Sequence, residues 1–243
     1  MPLNRNYTRF NPSVNGPLHV GHIYLCLVNE YEAHASDGKF FVRFEDDQPE
    51  YLWKYSPQEI GNLADSMKRD LDWLGINVDE YLYQTEMREE MESLKSTIVP
   101  KGLIIPERFT FDQPAELTSV DFILYPYAPH LTAERVLFDA LSHINLLIRG
   151  EDLQTDFSLY MYFCDIFKLT RPRQVYIPRM GVENKDNLLP ELSKTNCNYK
   201  IESYREAKVS PEQLLEYLRV DCLVDPSGEW SLKNIKRNLM WNR

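Results

Sequence analysis

Long apolar runs, clustered cysteines and a surplus of positive charge are all missing from this 243-residue chain. No apolar run is long enough to span a bilayer, and the start, MPLNRNYTRF, has no signal-peptide core. The four cysteines lie far apart and form neither a CxxC pair nor a zinc spacing. We therefore expect a cytoplasmic protein with reduced thiols, no membrane partner and no zinc.

The charge balance is acidic, with a formal net charge of −10. This balance argues against nonspecific binding of nucleic acid, although it leaves room for a local basic patch. A hydrophobic content of 43% is ordinary for a globular protein. The length allows one large α/β domain, alone or with appendages.

The amino-terminal stretch has the pattern of a strand, a turn and a helix. Residues 7–10 can form a strand, residues 11–16 are rich in turn formers, and apolar residues recur at helical spacing from His19 onward. Free N–H groups and the helix dipole make such a helix start attractive to anions. His19 and His22 flank Gly21 there, and an imidazole N–H can donate to a phosphate oxygen. The pattern predicts a phosphate site, with an ordinary helix start as the alternative.

The same stretch, TRFNPSVNGPLHVGH, resembles the first signature of class I aminoacyl-tRNA synthetases, with HVGH in place of HIGH. Within that class it is similar to glutamyl-tRNA synthetases and glutamyl-queuosine tRNA(Asp) synthetases. The resemblance implies an α/β fold with a Rossmann-like (HUP-type) parallel sheet. It also implies ATP and Mg²⁺ as cofactors, ATP contacts from His19, Gly21 and His22, and catalytic roles for the two histidines.

Further motifs of this family imply an amino-acid site. Glu45, in FFVRFEDD, matches the glutamate of RIEDTD that holds the amino group of the substrate. Arg149, in IRGEDL, matches an arginine that contacts the amino acid, although pairing with a neighbouring acidic residue is an alternative. Arg9, Asn11 and Ser13 also fall on substrate-binding positions, with Asn11 replacing the usual alanine. An arginine suits a carboxylate in charge and in planar geometry.

The sequence departs from the family at several points. The segment ELSKT resembles the second signature, KMSKS; Ser193 and Lys194 match, and the resemblance implies that both bind ATP and that Lys194 is catalytic. Glu191 replaces the first lysine of that signature. The pocket tyrosine of the family falls on Leu131, and Arg135 stands where a small polar residue is expected. Amino-acid specificity and the effect of Glu191 therefore stay open.

The resemblance also divides the chain. We expect a nucleotide-binding catalytic domain at residues 1–85 and 129–180, and a shortened insertion at 86–128 that contains a helix and a hairpin. Residues 181–243 would hold the KMSKS-like loop and a helical segment similar to the family's stem-contact region. Apolar periodicity predicts helices over residues 57–74, 87–97, 131–141 and 152–169, and strands over 39–44, 144–148 and 175–177.

The function implied by this resemblance is that of a catalytic-domain-only synthetase homologue. It would activate an amino acid, with glutamate expected, to an aminoacyl-adenylate and transfer it to tRNA. The reduced insertion leaves less surface for the tRNA acceptor end, so transfer to a non-tRNA acceptor is one alternative. A second alternative is a nucleotide-binding paralogue without catalysis, because Glu191 replaces the signature lysine and Leu131 replaces the pocket tyrosine. The sequence does not give the oligomeric state.

Overall fold

The computed structural model describes residues 5–47, 54–103, 105, 129–150, 156–177 and 200–215. Ser193, Lys194, Glu191 and the predicted hairpin lie outside these ranges. Within them, none of the helices combines the length and apolar character needed to cross a membrane. In chain order the elements are β1 (Tyr7–Phe10), α1 (Val20–His34), β2 (Lys39–Phe44), α2 (Pro57–Trp73), β3 (Glu80–Tyr83), α3 (Gln84–Ile98), α4 (Pro129–Leu141), β4 (Leu146–Gly150), α5 (Asp156–Ile166), β5 (Arg173–Ile177) and α6 (Ile201–Glu206).

All strand pairs are parallel: β1 with β2, β2 with β3, and β4 with β5. Asn145 links β4 to β1, because its N–H donates to the carbonyl of Tyr7 at 3.2 Å. Its Oδ1 accepts from the N–H of Tyr7 at 2.8 Å. The strands form a three-stranded sheet, β1-β2-β3, and a two-stranded sheet, β4-β5. Joined at Asn145, they follow the order β3-β2-β1-β4-β5 of a Rossmann-like arrangement. The predicted fold class is therefore confirmed.

Alternate residues of each strand face two separate apolar cores. In β2, Val42 packs with α1 and α2, whereas Phe41 packs with α3, α4 and α5. In β4, Ile148 lies on the first face and Leu147 on the second. Helices thus cover both faces of the sheet, as parallel sheets require.

Several local predictions are confirmed, and several boundaries shift. Ser56 forms a capping box at the start of α2, and Gly75 ends that helix with a positive φ of 68°. α3 begins at Gln84, three residues before its predicted start, and β5 begins at Arg173, two residues before its predicted start. The short strand β3 was not predicted, because four half-buried residues carry little periodic signal. β4 begins and ends two residues later than predicted, so Arg149 lies inside the strand and not after it. The predicted domain boundaries remain a prediction.

The turn at Asp37–Gly38 shows why the sequence needs glycine before β2. A Cβ on Gly38 would lie 1.9 Å from the carbonyl oxygen of Asn6, which is backbone and cannot move aside cheaply. Asp37 before it has a positive φ of 58°. The chain therefore crosses Asn6 at a distance that leaves no room for a side chain.

Replacing Gly38 with alanine is expected to lower the free energy of unfolding by about 2 kcal/mol or more, as for an overpacked site. The matched control is Gly61→Ala within α2, where a Cβ meets nothing within 4 Å. That control should raise stability by up to about 1 kcal/mol, because alanine is the better helix former. Urea unfolding of both variants measures the difference, and equal effects would contradict the close approach at Asn6.

Asp70 of α2 is a buried carboxylate that contacts the carboxyl-terminal part of the chain. Its Oδ1 lies 3.2 Å from Nη1 of Arg205 in α6. Burial raises the pKa of Asp70 to about 6, because the charge of Arg205 offsets the lost hydration only in part. The protonated form is therefore favoured in the folded protein relative to the unfolded chain.

The raised pKa predicts a pH-dependent effect of Asp70→Asn. Protonated Asp70 contributes fully to the free energy of unfolding below pH 3.8. This contribution is lost as pH rises through about 6. Asp70→Asn should match the wild type near pH 4 and exceed it by up to about 3 kcal/mol at pH 7.5. Urea unfolding across this pH range measures the difference. A constant difference at every pH would show that ionisation of Asp70 does not limit stability.

Candidate functional site

Two histidines form a stacked pair at the start of α1. His19 is the N-cap residue in extended conformation, and its N–H donates to Nδ1 of His22 at 3.2 Å. The two rings stack with centroids 3.6 Å apart, and Gly21 lies between them in the first helical turn. Because Nδ1 of His22 accepts, the proton of its neutral ring lies on Nε2 and makes that atom a donor. The ring of Phe10, the last residue of β1, lies 5.6 Å from that of His22.

The chain after the second signature returns to this pair. Lys200 forms an antiparallel bridge with His19, and the N–H of Ile201 donates to the carbonyl of Leu18 at 3.1 Å. The side chain of Ile201 is buried in the same apolar core as α1. The contact thus holds Lys200 and Ile201 against the start of α1.

Two arginines from neighbouring strands donate to one buried carboxylate, and a third arginine lies close by. Arg9 of β1 donates from Nε and Nη2 to both oxygens of Asp139 in α4, each at 3.1 Å. Arg43 of β2 donates to Oδ1 of the same residue at 2.7 Å. The guanidinium of Arg149 in β4 lies 5.1 Å from the ring centre of Tyr160, whose hydroxyl donates to Asp139 at 2.9 Å. All five side chains are buried.

The arginines keep Asp139 ionised in spite of its burial. Burial alone would raise the pKa of Asp139, but the charges of Arg9 and Arg43 outweigh it and hold that pKa below its ordinary range. Nε and Nη1 of Arg43 are buried and have no hydrogen-bond partner among the described residues. Arg9 and Arg43 therefore share one carboxylate, and the remaining N–H groups of Arg43 can donate to an anionic ligand.

Glu45 lies directly after β2 and is 3% exposed. Its Oε2 accepts from the hydroxyl of Ser13 at 3.1 Å, and its Oε1 accepts from Nε of Arg135 at 3.2 Å. A parallel bridge between Ser13 and Glu45 continues the pairing of β1 and β2 beyond the strands. The structure thus brings Ser13 and Glu45 together, as the resemblance implies, and adds Arg135 from α4.

A cavity of about 250 Å³ opens beside Glu45. Leu131, at the position of the family's pocket tyrosine, lies in its wall. Arg88 occupies one side of it and donates to Asp47 and Glu134, each at 2.9 Å. The full lining is Glu45, Asp47, Gln84, Arg88, His130, Leu131, Glu134 and Arg135. Most of the lining residues are charged, and their charges are largely paired.

Asn11, directly after β1, has both atoms of its side-chain amide buried without a hydrogen-bond partner in the part of the chain that the structure describes. A buried, unsatisfied amide costs about 1–3 kcal/mol, so such a group is usually matched by water or a ligand. Asn11 therefore remains a candidate ligand contact.

Arg43, Asp139 and Tyr160 are not among the site residues predicted from the sequence. Arg43 could have been found, because an arginine inside the apolar strand FFVRF requires a buried acid to pair with. Asp139 gave no such signal, since one acid in an amphipathic helix is ordinary. Among the described residues, no group of three or more His, Cys, Asp or Glu side chains is arranged to hold a metal ion.

The profile for "tRNA synthetases class I (E and Q), catalytic domain" matches residues 6–110. Residues 6–110 are therefore similar to this catalytic domain, and the match covers less than half of the 243-residue chain. The chain is 37% identical over 81 residues to the glutamate–tRNA ligase of Methanocaldococcus jannaschii. It is 39% identical over 84 residues to the cytoplasmic glutamate–tRNA ligase of Saccharomyces cerevisiae. These matches cover 33% and 35% of this chain but only 13% and 11% of the two relatives.

Solved structures extend the synthetase-like fold over most of the chain. The glutamate–tRNA synthetase of Elizabethkingia anophelis aligns with 96% of this chain and 65% of its own, with a TM-score of 0.63 and 16% identity. The tyrosyl-tRNA synthetase of Archaeoglobus fulgidus aligns with 88% of this chain and 71% of its own, with a TM-score of 0.55 and 14% identity. Synthetases for two different amino acids share the fold, so the fold leaves the amino acid open.

Proposed function

We propose that the protein binds ATP at the start of α1 and activates an amino acid, with glutamate as the substrate, for transfer to tRNA. One observation carries the proposal: the stacked histidines and the buried arginine cluster meet at the same end of β1. Arg9 belongs to the cluster, and the next residue, Phe10, contacts the ring of His22. Ligands of open α/β sheets bind at this end of the strands.

In the proposed reaction, a carboxylate oxygen of the amino acid attacks the α-phosphorus of ATP. The bond to the bridging oxygen breaks, and pyrophosphate leaves. The protein's task is to place the two reactants and to stabilise negative charge on the phosphate oxygens. His22 would donate from Nε2 and His19 would assist at the same helix start, where the helix dipole favours an anion.

The amino acid would lie between the arginine cluster and Glu45. Arg9 and Arg43 share Asp139, and the buried N–H groups of Arg43 that lack a partner among the described residues support a substrate carboxylate on this side. Glu45 supplies an acceptor for the α-ammonium group, and the unsatisfied amide of Asn11 is a further candidate contact. Mg²⁺, which the family uses with ATP, would accompany the phosphates.

Lys194 and Ser193 complete the proposed ATP site. Lys200 lies beside His19, and six residues of extended chain span at most about 20 Å, so connectivity allows Lys194 to reach the phosphates. Its ammonium group would stabilise the leaving pyrophosphate. A Lys194→Ala variant should therefore lose exchange activity without losing stability.

ATP–pyrophosphate exchange across the twenty amino acids, each with and without tRNA, tests the proposal. We expect exchange that depends on glutamate, and transfer of labelled glutamate to tRNA. Exchange without a tRNA product would point to a different acceptor. No exchange with any amino acid, in a protein shown to be folded, would refute the enzymatic proposal.

A further inference from the structure

The amino-acid end of the proposed site already contains a cation. Nε of Arg135 donates to Oε1 of Glu45 at 3.2 Å, and the hydroxyl of Ser13 donates to Oε2 at 3.1 Å. Each oxygen of the buried carboxylate therefore has a donor from the protein itself. Arg135 supplies a full positive charge at the acceptor that the proposed function assigns to the substrate's ammonium group.

We propose that Arg135 competes with the α-ammonium group of the substrate for Glu45 and thereby sets which acids the site prefers. The inference rests on the proposed function, because that function places an amino acid at Glu45. Two cations that share one buried carboxylate repel each other more strongly than they would in water. An acid that lacks the ammonium group leaves the pair between Arg135 and Glu45 intact.

The other carboxylates in the described lining of the cavity are already paired. The other carboxylates of the cavity, Asp47 and Glu134, both accept hydrogen bonds from Arg88. If Arg135 turned towards either of them, it would share an acceptor with a second guanidinium. Binding of an α-amino acid therefore requires a rearrangement of charges that a simple dicarboxylate does not require.

The test compares L-glutamate with glutarate, which has the same two carboxylates and no ammonium group. Calorimetric titration of the full chain gives both dissociation constants for the wild type and for Arg135→Asn. We expect Arg135→Asn to shift the ratio of the two constants by about tenfold or more towards glutamate, because the competing cation is gone. The control Arg171→Asn removes an exposed arginine that pairs with Asp165, and it should leave the ratio unchanged.

Two results would overturn the role of Arg135. One is an unchanged ratio of the two dissociation constants, with or without equal weakening of both acids. The other is no binding of either acid to either protein. Equal weakening would make Arg135 a ligand of a substrate carboxylate. Pyrophosphate exchange is measured separately on the same samples. A shifted ratio without pyrophosphate exchange supports Arg135 as the competitor and refutes the proposed activity. Pyrophosphate exchange with an unchanged ratio supports the proposed activity and refutes the role of Arg135.

Discussion

Replacing His22 with alanine is expected to lower the rate of ATP–pyrophosphate exchange by about a hundredfold or more, the usual cost of losing one donor to a developing negative charge. The donor is Nε2, because Nδ1 already accepts the N–H of His19 at 3.2 Å. Most of the loss should fall on kcat rather than on the KM for ATP, since the charge develops in the transition state. Exchange kinetics with saturating glutamate measure both quantities.

The control for His22 lies at the other end of the same helix. His34 pairs with Asp79 at 2.8 Å and is the last residue of α1. His34→Ala should keep its exchange rate within about twofold while losing about 1 kcal/mol of stability, which is typical of a surface pair. His22→Ala also loses a helix-start hydrogen bond, so unfolding must be measured beside the kinetics. Wild-type exchange in His22→Ala would remove this residue from the mechanism.

Asp139→Asn is expected to reduce the free energy of unfolding by about 3–5 kcal/mol, because it leaves buried guanidinium groups without a counter-charge. Arg9 and Arg43 both donate to this carboxylate, and their side chains are 8% and 0% exposed. Urea unfolding at pH 7 measures the loss. Because the pKa of Asp139 is lowered in the folded protein, its ionised carboxylate stabilises the fold above pH 3.8. This stabilisation is lost as pH falls further.

The matched control for Asp139 is an ion pair at the surface. Asp165 and Arg171 pair with side chains 52% and 59% exposed, so Asp165→Asn should have a much smaller effect on the free energy of unfolding. If the two substitutions cost the same, the cluster around Asp139 does not act as a buried charge centre. The proposed carboxylate site, which depends on the buried guanidinium groups of Arg9 and Arg43, would then lose its support.

Sequence pattern alone predicted much of the fold, because local signals were strong where they mattered. The helical periodicity after His19 and over residues 57–74 has its cause within a few residues of chain. β3 and the true end of β4 had no such local cause. Their limits depend on pairing with strands that are distant in sequence, which periodicity does not reveal.

The candidate site divides in the same way. Motif positions located Arg9, Glu45 and the histidine pair, whose neighbourhood the structure describes. Their partners were not predictable, since Asp139 and Arg135 approach from α4, more than 85 residues away in the chain. Arg135 illustrates the limit: the sequence marks it as a departure from the family, but its contact with Glu45 appears only when β2 and α4 pack together.

The most direct test of the proposed site is a crystal structure with a non-hydrolysable glutamyl-adenylate analogue. We expect Nε2 of His22 and Nζ of Lys194 both to lie within about 3 Å of the group that replaces the phosphate. The glutamyl moiety should lie between Glu45 and the cluster around Asp139. An analogue bound elsewhere, or one that lies far from both His22 and Lys194, would contradict the proposal that these two side chains meet at one nucleotide.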